Sequence, residues 1–212
     1  MQPTLADLIG RMCTKESVAD SRQSISWQAH REAEQLSDPA SFDGLQAFVA
    51  NSKSKDERRA AYFMLGALGV NADDPRCAWV LLQRLPQEKD KYVLAGLLDA
   101  LAKLEKPADL PLSGVLGLLS ESRWLVRHAA ITALQRTQSL EVEQTLLQHL
   151  ASTADPFDMI YCHATLGGIG TALSLPALEA GCRSRKRDVK GSAEQAICAI
   201  NARLAMARPA SA

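Results

Sequence analysis

A large apolar residue returns along this chain every 31 to 36 positions, and each return brings the same flanking pattern. Leu65, Leu101, Leu134, Leu166 and Ile197 mark the series, with spacings of 36, 33, 32 and 31 residues. Four residues earlier stand Ala61, Leu97, Ala130, Cys162 and Ala193, and one residue earlier stand Met64, Ala100, Ala133, Thr165 and Ala196. Three residues later stand Leu68, Leu104, Thr137, Ile169 and Ile200. Offsets of −4, 0 and +3 share one face of a 3.6-residue helix, so each copy predicts an amphipathic helix buried along one stripe. A period of this length is the mark of stacked supersecondary units.

Proline predicts a second helix in each unit. Pro75, Pro111 and Pro176 each lie ten residues after their anchor. Proline suits the first turn of a helix, where its missing N–H costs nothing. Sixteen residues after the anchor, Leu81, Gly117, Leu150 and Cys182 are expected to face the core. A weaker first copy has Arg22, Ile25, Ala29, Pro39 and Leu45 in the corresponding places. The pattern predicts one all-α domain over 1–212, with repeats at roughly 18–52, 54–88, 90–121, 123–153, 156–186 and 187–207. Residues 3–15 are expected to add a capping helix. Asp20, Asp56 and Asp188, each two residues before Arg22, Arg58 or Lys190, are expected as helix N-caps. Gly69 and Gly170, four residues after their anchors, are expected to end their helices in the left-handed conformation.

Composition strengthens the all-helical reading. The chain of 212 residues has 33 Ala and 30 Leu against 9 Val and 7 Ile, a balance that favours helix over strand. With 47% hydrophobic residues and zero net charge it is expected to be soluble and folded. No apolar run approaches the length of a membrane span. The N-terminal segment has no basic region, and Asp7 and Arg11 interrupt its apolar residues, so no secretory leader is expected. Cys13, Cys77, Cys162, Cys182 and Cys198 are odd in number and form no C-x-x-C pair. They are expected to be small reduced core residues, which favours a cytoplasmic protein.

The repeat resembles HEAT repeats of the short bacterial type. The resemblance rests on Val126-Arg127-x-x-Ala130-x-x-Ala133-Leu134, Leu65-Gly66-x-Leu68-Gly69 and Leu166-Gly167-x-Ile169-Gly170, together with the second-helix prolines, and covers about residues 18–207. It implies an α-α superhelix, a right-handed solenoid of about six helix pairs. In that family the second helices usually line a concave face where partners dock. The family hosts scaffolds, chaperones, lyases and nucleic-acid enzymes, so the fold does not choose among them.

Catalytic signatures are scarce. His30, His128, His149 and His163 form no H-E-x-x-H or H-x-x-E-H motif. Gly167-Gly168-Ile169-Gly170 lacks the strand and spacing of a phosphate loop and reads as a helix end. No serine or cysteine stands in a nucleophile elbow. No catalytic, cofactor-binding or metal-binding residue is therefore expected. Trp27, Trp79 and Trp124 are either partly buried or exposed interface anchors. Charge is polarised: residues 183–208 hold seven Lys/Arg against two Asp/Glu, so the remainder is net acidic. The expected function is non-enzymatic binding of a protein partner, as an adaptor or an effector-neutralising immunity protein. Trp79, Gln83, Arg84, Arg183, Arg185, Lys186, Arg187 and Lys190 are the expected contacts. A HEAT-like lyase or chaperone and a nucleic-acid or DNA-repair enzyme are the alternatives. A basic stripe too short for a nucleic-acid footprint argues against the latter.

Overall fold

The computed structural model describes residues 4–207, and the first and last stretches of the predicted domain lie outside them. The helices are α1 (Leu5–Met12), α2 (Ile25–Ala33), α3 (Ser41–Asn51), α4 (Lys55–Asn71), α5 (Arg76–Arg84), α6 (Lys91–Ala102), α7 (Ser113–Gly117), α8 (Trp124–Ala133), α9 (Leu140–Ser152), α10 (Pro156–Ile169), α11 (Leu175–Gly181) and α12 (Arg187–Ala207). No strand forms among the described residues. None of these helices is long and apolar enough to cross a membrane. The chain divides into two compact units between Gly114 and Val115, inside α7.

Both units use the same packing rule. In the first, α4 lies against α6 and α3 against α5; in the second, α8 lies against α10, α10 against α12, and α9 against α11. First helices thus stack on first helices and second helices on second. The anchor stripe explains why: Leu65, Leu101, Leu134 and Leu166 are completely buried, as are Ala61, Leu97, Ala130, Cys162 and Ala193. The small residue beside each anchor sets how close the helices come. A Cβ on Gly66 would stand 3.1 Å from Ala100 Cβ, and one on Gly167 would stand 3.1 Å from Ala196 Cα. At these two junctions the position after one anchor meets the position before the next, and the glycine leaves room for the alanine.

The structure corrects three sequence expectations. At sixteen residues past the anchor only Leu81 is fully buried; Leu150 and Cys182 are half-buried and Gly117 is exposed. The recurring second-helix core position lies at twelve, in Cys77, Leu146 and Leu178. The loops between paired helices vary in length, so helical phase is not carried across them.

Asp20 caps only a 3-10 turn, Ser21–Gln23, through the Arg22 amide. The caps of α2 and α4 are Ser24 and Ser54, and Asp56 and Asp188 lie within the first helical turn. There they still meet the positive helix end.

Neither Gly69 nor Gly170 is left-handed, because no glycine has positive φ among the described residues. The left-handed residue after α4 is Asp73 (φ 50°), and the Asp74 amide donates back to Gly69 O at 3.1 Å. That six-residue closure is the Schellman arrangement, with aspartate in the place glycine usually takes. Gly170 is extended at the end of α10 (φ −64°, ψ 152°). Glycine is required there by crowding, since a Cβ would stand 2.6 Å from Leu166 O.

Candidate interaction surfaces

Two buried ionic hubs stand where successive first helices begin. Arg58 and Arg127 each lie seven residues before an anchor, on the first turns of α4 and α8. Each turns one nitrogen onto the carbonyl six residues earlier: Arg58 Nη1 donates to Ser52 O at 3.2 Å, and Arg127 Nη1 to Glu121 O at 2.8 Å. Each sends the rest of its fork to an acid about thirty residues ahead. Arg58 Nε and Nη2 donate to Glu88 at 2.7 and 3.0 Å. Arg127 Nε donates to both oxygens of Asp158 at 2.9 and 2.8 Å, and Nη2 to Asp155 at 3.1 Å. The guanidinium is thus a clip between its own entry loop and the next repeat, a task suited to its planar fork.

The acids are deeply buried and well supplied with donors. Glu88 also accepts from the Tyr62 hydroxyl at 2.6 Å. Burial alone would raise its carboxyl, but Arg58 and Tyr62 hold it below the usual range. Burial and the same bond push the Tyr62 hydroxyl up to about 12. Asp158 accepts from Thr153 Oγ1 at 3.0 Å, pairs with His128 Nε2 at 2.9 Å, and has His149 Nε2 at 3.3 Å. Burial opposes ionisation there too, and Arg127 and Thr153 outweigh it, leaving the carboxyl below its usual range. His128, Asp155 and Asp158 bring ligand atoms within 4.8 Å of one another and are the group that could hold a metal. The geometry favours the ion-pair role, because a cation there would face Arg127 and displace donors from both Asp158 oxygens.

These shifts carry a pH dependence with a definite sign. Glu88 and Asp158 titrate below their ordinary values when folded, and Asp90 and Glu121 drop to about 2. Their stabilisation is complete above the unfolded carboxylate range, about pH 4, and is lost as pH falls through the folded values. His163 acts earlier. Its Nδ1 lies 2.9 Å from Ser192 Oγ, and burial lowers its value from 6.5. Below that pH the unfolded chain binds a proton that the folded chain resists. The denaturant midpoint is expected to be level near neutrality, to decline from about pH 6.5, and to fall more steeply below about pH 4. His163→Gln should remove the first decline; a midpoint unchanged down to about pH 5 in the parent chain would contradict this.

The ring of His128 carries an aromatic patch on the second unit. Tyr161 stacks on it at 4.6 Å, and Trp124 and Phe157 lie at 5.6 and 6.3 Å between ring centres. His128 is buried, whereas Trp124 is 62% exposed, Phe157 61% and Tyr161 39%. All four belong to the first helices α8 and α10. His128 Nε2 in turn meets Asp158, the partner of Arg127, so the exposed rings stand on a fixed base.

Residues 112–198 match the family model for HEAT repeats. This stretch, most of the second unit, carries HEAT repeats. No curated protein matches the chain. The Arg58 hub repeats the geometry of the Arg127 hub in the unit outside most of that match, so the two units share this local plan. HEAT repeats form a helical scaffold, and α8 to α11 fall wholly within the matched stretch.

The residues expected as partner contacts fall into different settings. Trp79 on α5 is half-buried and Gln83 is exposed. Arg84 is half-buried, and its charge acts on Tyr62 and Glu88, which places it beside the Arg58 hub. Arg183, Arg185, Lys186, Arg187 and Lys190 are all exposed around the start of α12. Lys190 makes a loose pair with Glu194 at 3.8 Å.

Sequence reasoning missed Glu88, Asp158 and the patch residues Phe157 and Tyr161. It also missed Glu143, a buried acid that accepts from the Thr171 amide at 2.7 Å and from Ser174 Oγ at 2.6 Å. The available signal was the arginine recurring at −7, which lacked only its partner. The Gly167–Gly170 segment ends α10, and Arg203 donates to the carbonyls of Gly167 and Gly170. Outward carbonyls already served by a guanidinium make a poor cradle for phosphate.

Proposed function

We propose that this HEAT-repeat chain is a non-enzymatic scaffold that binds a protein partner, as an adaptor or an effector-neutralising immunity protein. The observation that carries the reading is the Trp124–Phe157–Tyr161 patch. Three large rings on neighbouring first helices share one buried support and remain open to solvent. Rigid exposed aromatics over a fixed base are the usual anchors of interfaces, because they bury much area and lose little side-chain entropy. The exposed basic segment Arg183–Arg187 supports docking of an acidic partner surface, mainly by steering encounter.

The test is capture of the stoichiometric partner by the tagged chain from its source cell, followed by affinity measurements with variants. Trp124→Ala combined with Phe157→Ala should weaken the complex by about a hundredfold or more, as loss of two anchors does. Charge reversal at Arg185 and Lys186 should instead slow association and reduce its salt dependence. Partner affinity unchanged in the aromatic double variant would refute the assignment of the patch.

A further inference from the structure

The first unit contains a groove that neither the partner-binding patch nor the basic segment uses. It encloses a cavity of about 340 Å³ bordered by the end of α1 and by α2, α4 and α6. Phe63, Ala60 and Ala100 supply its apolar surface, and Arg59, Asp99 and Lys103 its charges, beside an ion pair between Lys15 and Asp56 at 3.1 Å. Arg59 is exposed and makes no hydrogen bond or ion pair with a described residue. Its placement is nevertheless built into the fold. A Cβ on Gly96 would stand 2.9 Å from Arg59 Cγ, so the arginine stem lies across α6 in the space that a glycine leaves open. A mid-helix glycine costs about 1 kcal/mol relative to alanine, and no described residue hydrogen-bonds or ion-pairs with the guanidinium it accommodates. Lys103 Nζ sits 4.9 Å from the Phe63 ring centre.

We propose that this groove binds a monocarboxylate, a single carboxylate carried on a compact apolar group. The Arg59 fork matches a carboxylate in two hydrogen bonds, and Lys103 adds a second positive charge above the ring that would receive the apolar part. Asp99 limits the charge that can be accepted. Partial desolvation at the groove pushes its carboxyl up, opposed by Lys103; beside the Lys15–Asp56 pair, the groove holds Arg59 and Lys103 against Asp99. That balance suits a monoanion and disfavours a phosphate dianion. The cavity volume lies in the range of small-ligand sites. The carboxylate can come from a free small acid or from an acidic side chain of a bound protein, and the two present the same chemistry to Arg59.

The test is titration of the isotopically labelled full chain with benzoate, with N-acetyl-glutamate amide and with inorganic phosphate, followed through backbone amide shifts. Benzoate or the glutamate derivative is expected to move the Phe63, Gly96 and Ala100 amides saturably. Tighter benzoate binding assigns the site to free acids, and tighter binding of the glutamate derivative assigns it to protein side chains. Arg59→Ala should weaken binding by about tenfold or more, the effect of one charge-assisted pair. Gly96→Ala, which displaces the Arg59 stem, should weaken it too, and Asp99→Asn should tighten it. The spectrum of each variant reports whether it is folded. The proposal is overturned if neither acid moves these amides, if Arg59→Ala binds as tightly as the parent, or if phosphate binds as well as the monocarboxylates.

Discussion

Asp158→Ala is expected to lower the stability of the second unit by about 3–5 kcal/mol, the cost of leaving a buried charge without its partner. Asp158 is almost fully buried and takes donors from Arg127, His128 and Thr153, with His149 close by. Truncation leaves the Arg127 guanidinium, itself only 15% exposed, with Asp155 and two loop carbonyls. It also frees the His128 ring on which Tyr161 stacks. The chain divides into two units, so one unfolding midpoint can hide a local loss. Native-state hydrogen exchange reads each helix separately, and amides of α8 and α10 should lose most of their protection. The near-ultraviolet signal of Trp124 should change with them. Glu194→Ala removes an acid loosely paired with Lys190 at the surface, and it should alter stability far less. If Asp158→Ala cost no more than Glu194→Ala, the hub would not be structural.

Ala130→Asp is expected to be at least as damaging, at about 4 kcal/mol or more. Ala130 is completely buried on the first-helix stripe, four residues before Leu134. A carboxylate there is cut off from water, so it either remains protonated and overpacks the contact or ionises and drives the helices apart. HEAT repeats are stabilised by contacts with their neighbours, so the loss should spread from α8 into α10. Ala164→Asp is the control, because Ala164 is exposed on α10. Circular dichroism and exchange protection should show unit-wide loosening in the first variant and little change in the second. An equally stable Ala130→Asp protein would refute the register of the repeat.

The first helices were legible because one helix stacked against its neighbours must place small and large residues at fixed intervals. Ala130 and Leu134, or Cys162 and Leu166, show that constraint inside a single segment. The second helices were legible only in part. Proline marked their beginnings, but the face turned inward depended on loop length, so Leu150 was expected where Leu146 is buried. Helix caps were misassigned where serine and aspartate compete: Ser54 caps α4, and Asp56, two residues on, lies in its first turn. Asp90 and Asp155, which do cap helices, drew no attention because neither precedes a basic residue by two positions.

The site residues divide in the same way. Arg127 belongs to the motif, yet Asp158 stands 31 residues away in the next repeat. Trp124 was visible as an aromatic, but its exposure depends on how α8 and α10 lie together. Gly96 stands in no motif, and its role comes from Arg59, 37 residues earlier, whose stem lies across it. By itself the sequence determined the helical class, the HEAT period, the anchor stripe and the polarity of charge. All of these arise from interactions local to one helix or from composition. Only the tertiary structure decided which acid meets which arginine, which rings stay in solvent and where the Arg59 stem is laid across a glycine. Those depend on contacts between residues about thirty positions apart, which helical periodicity does not encode.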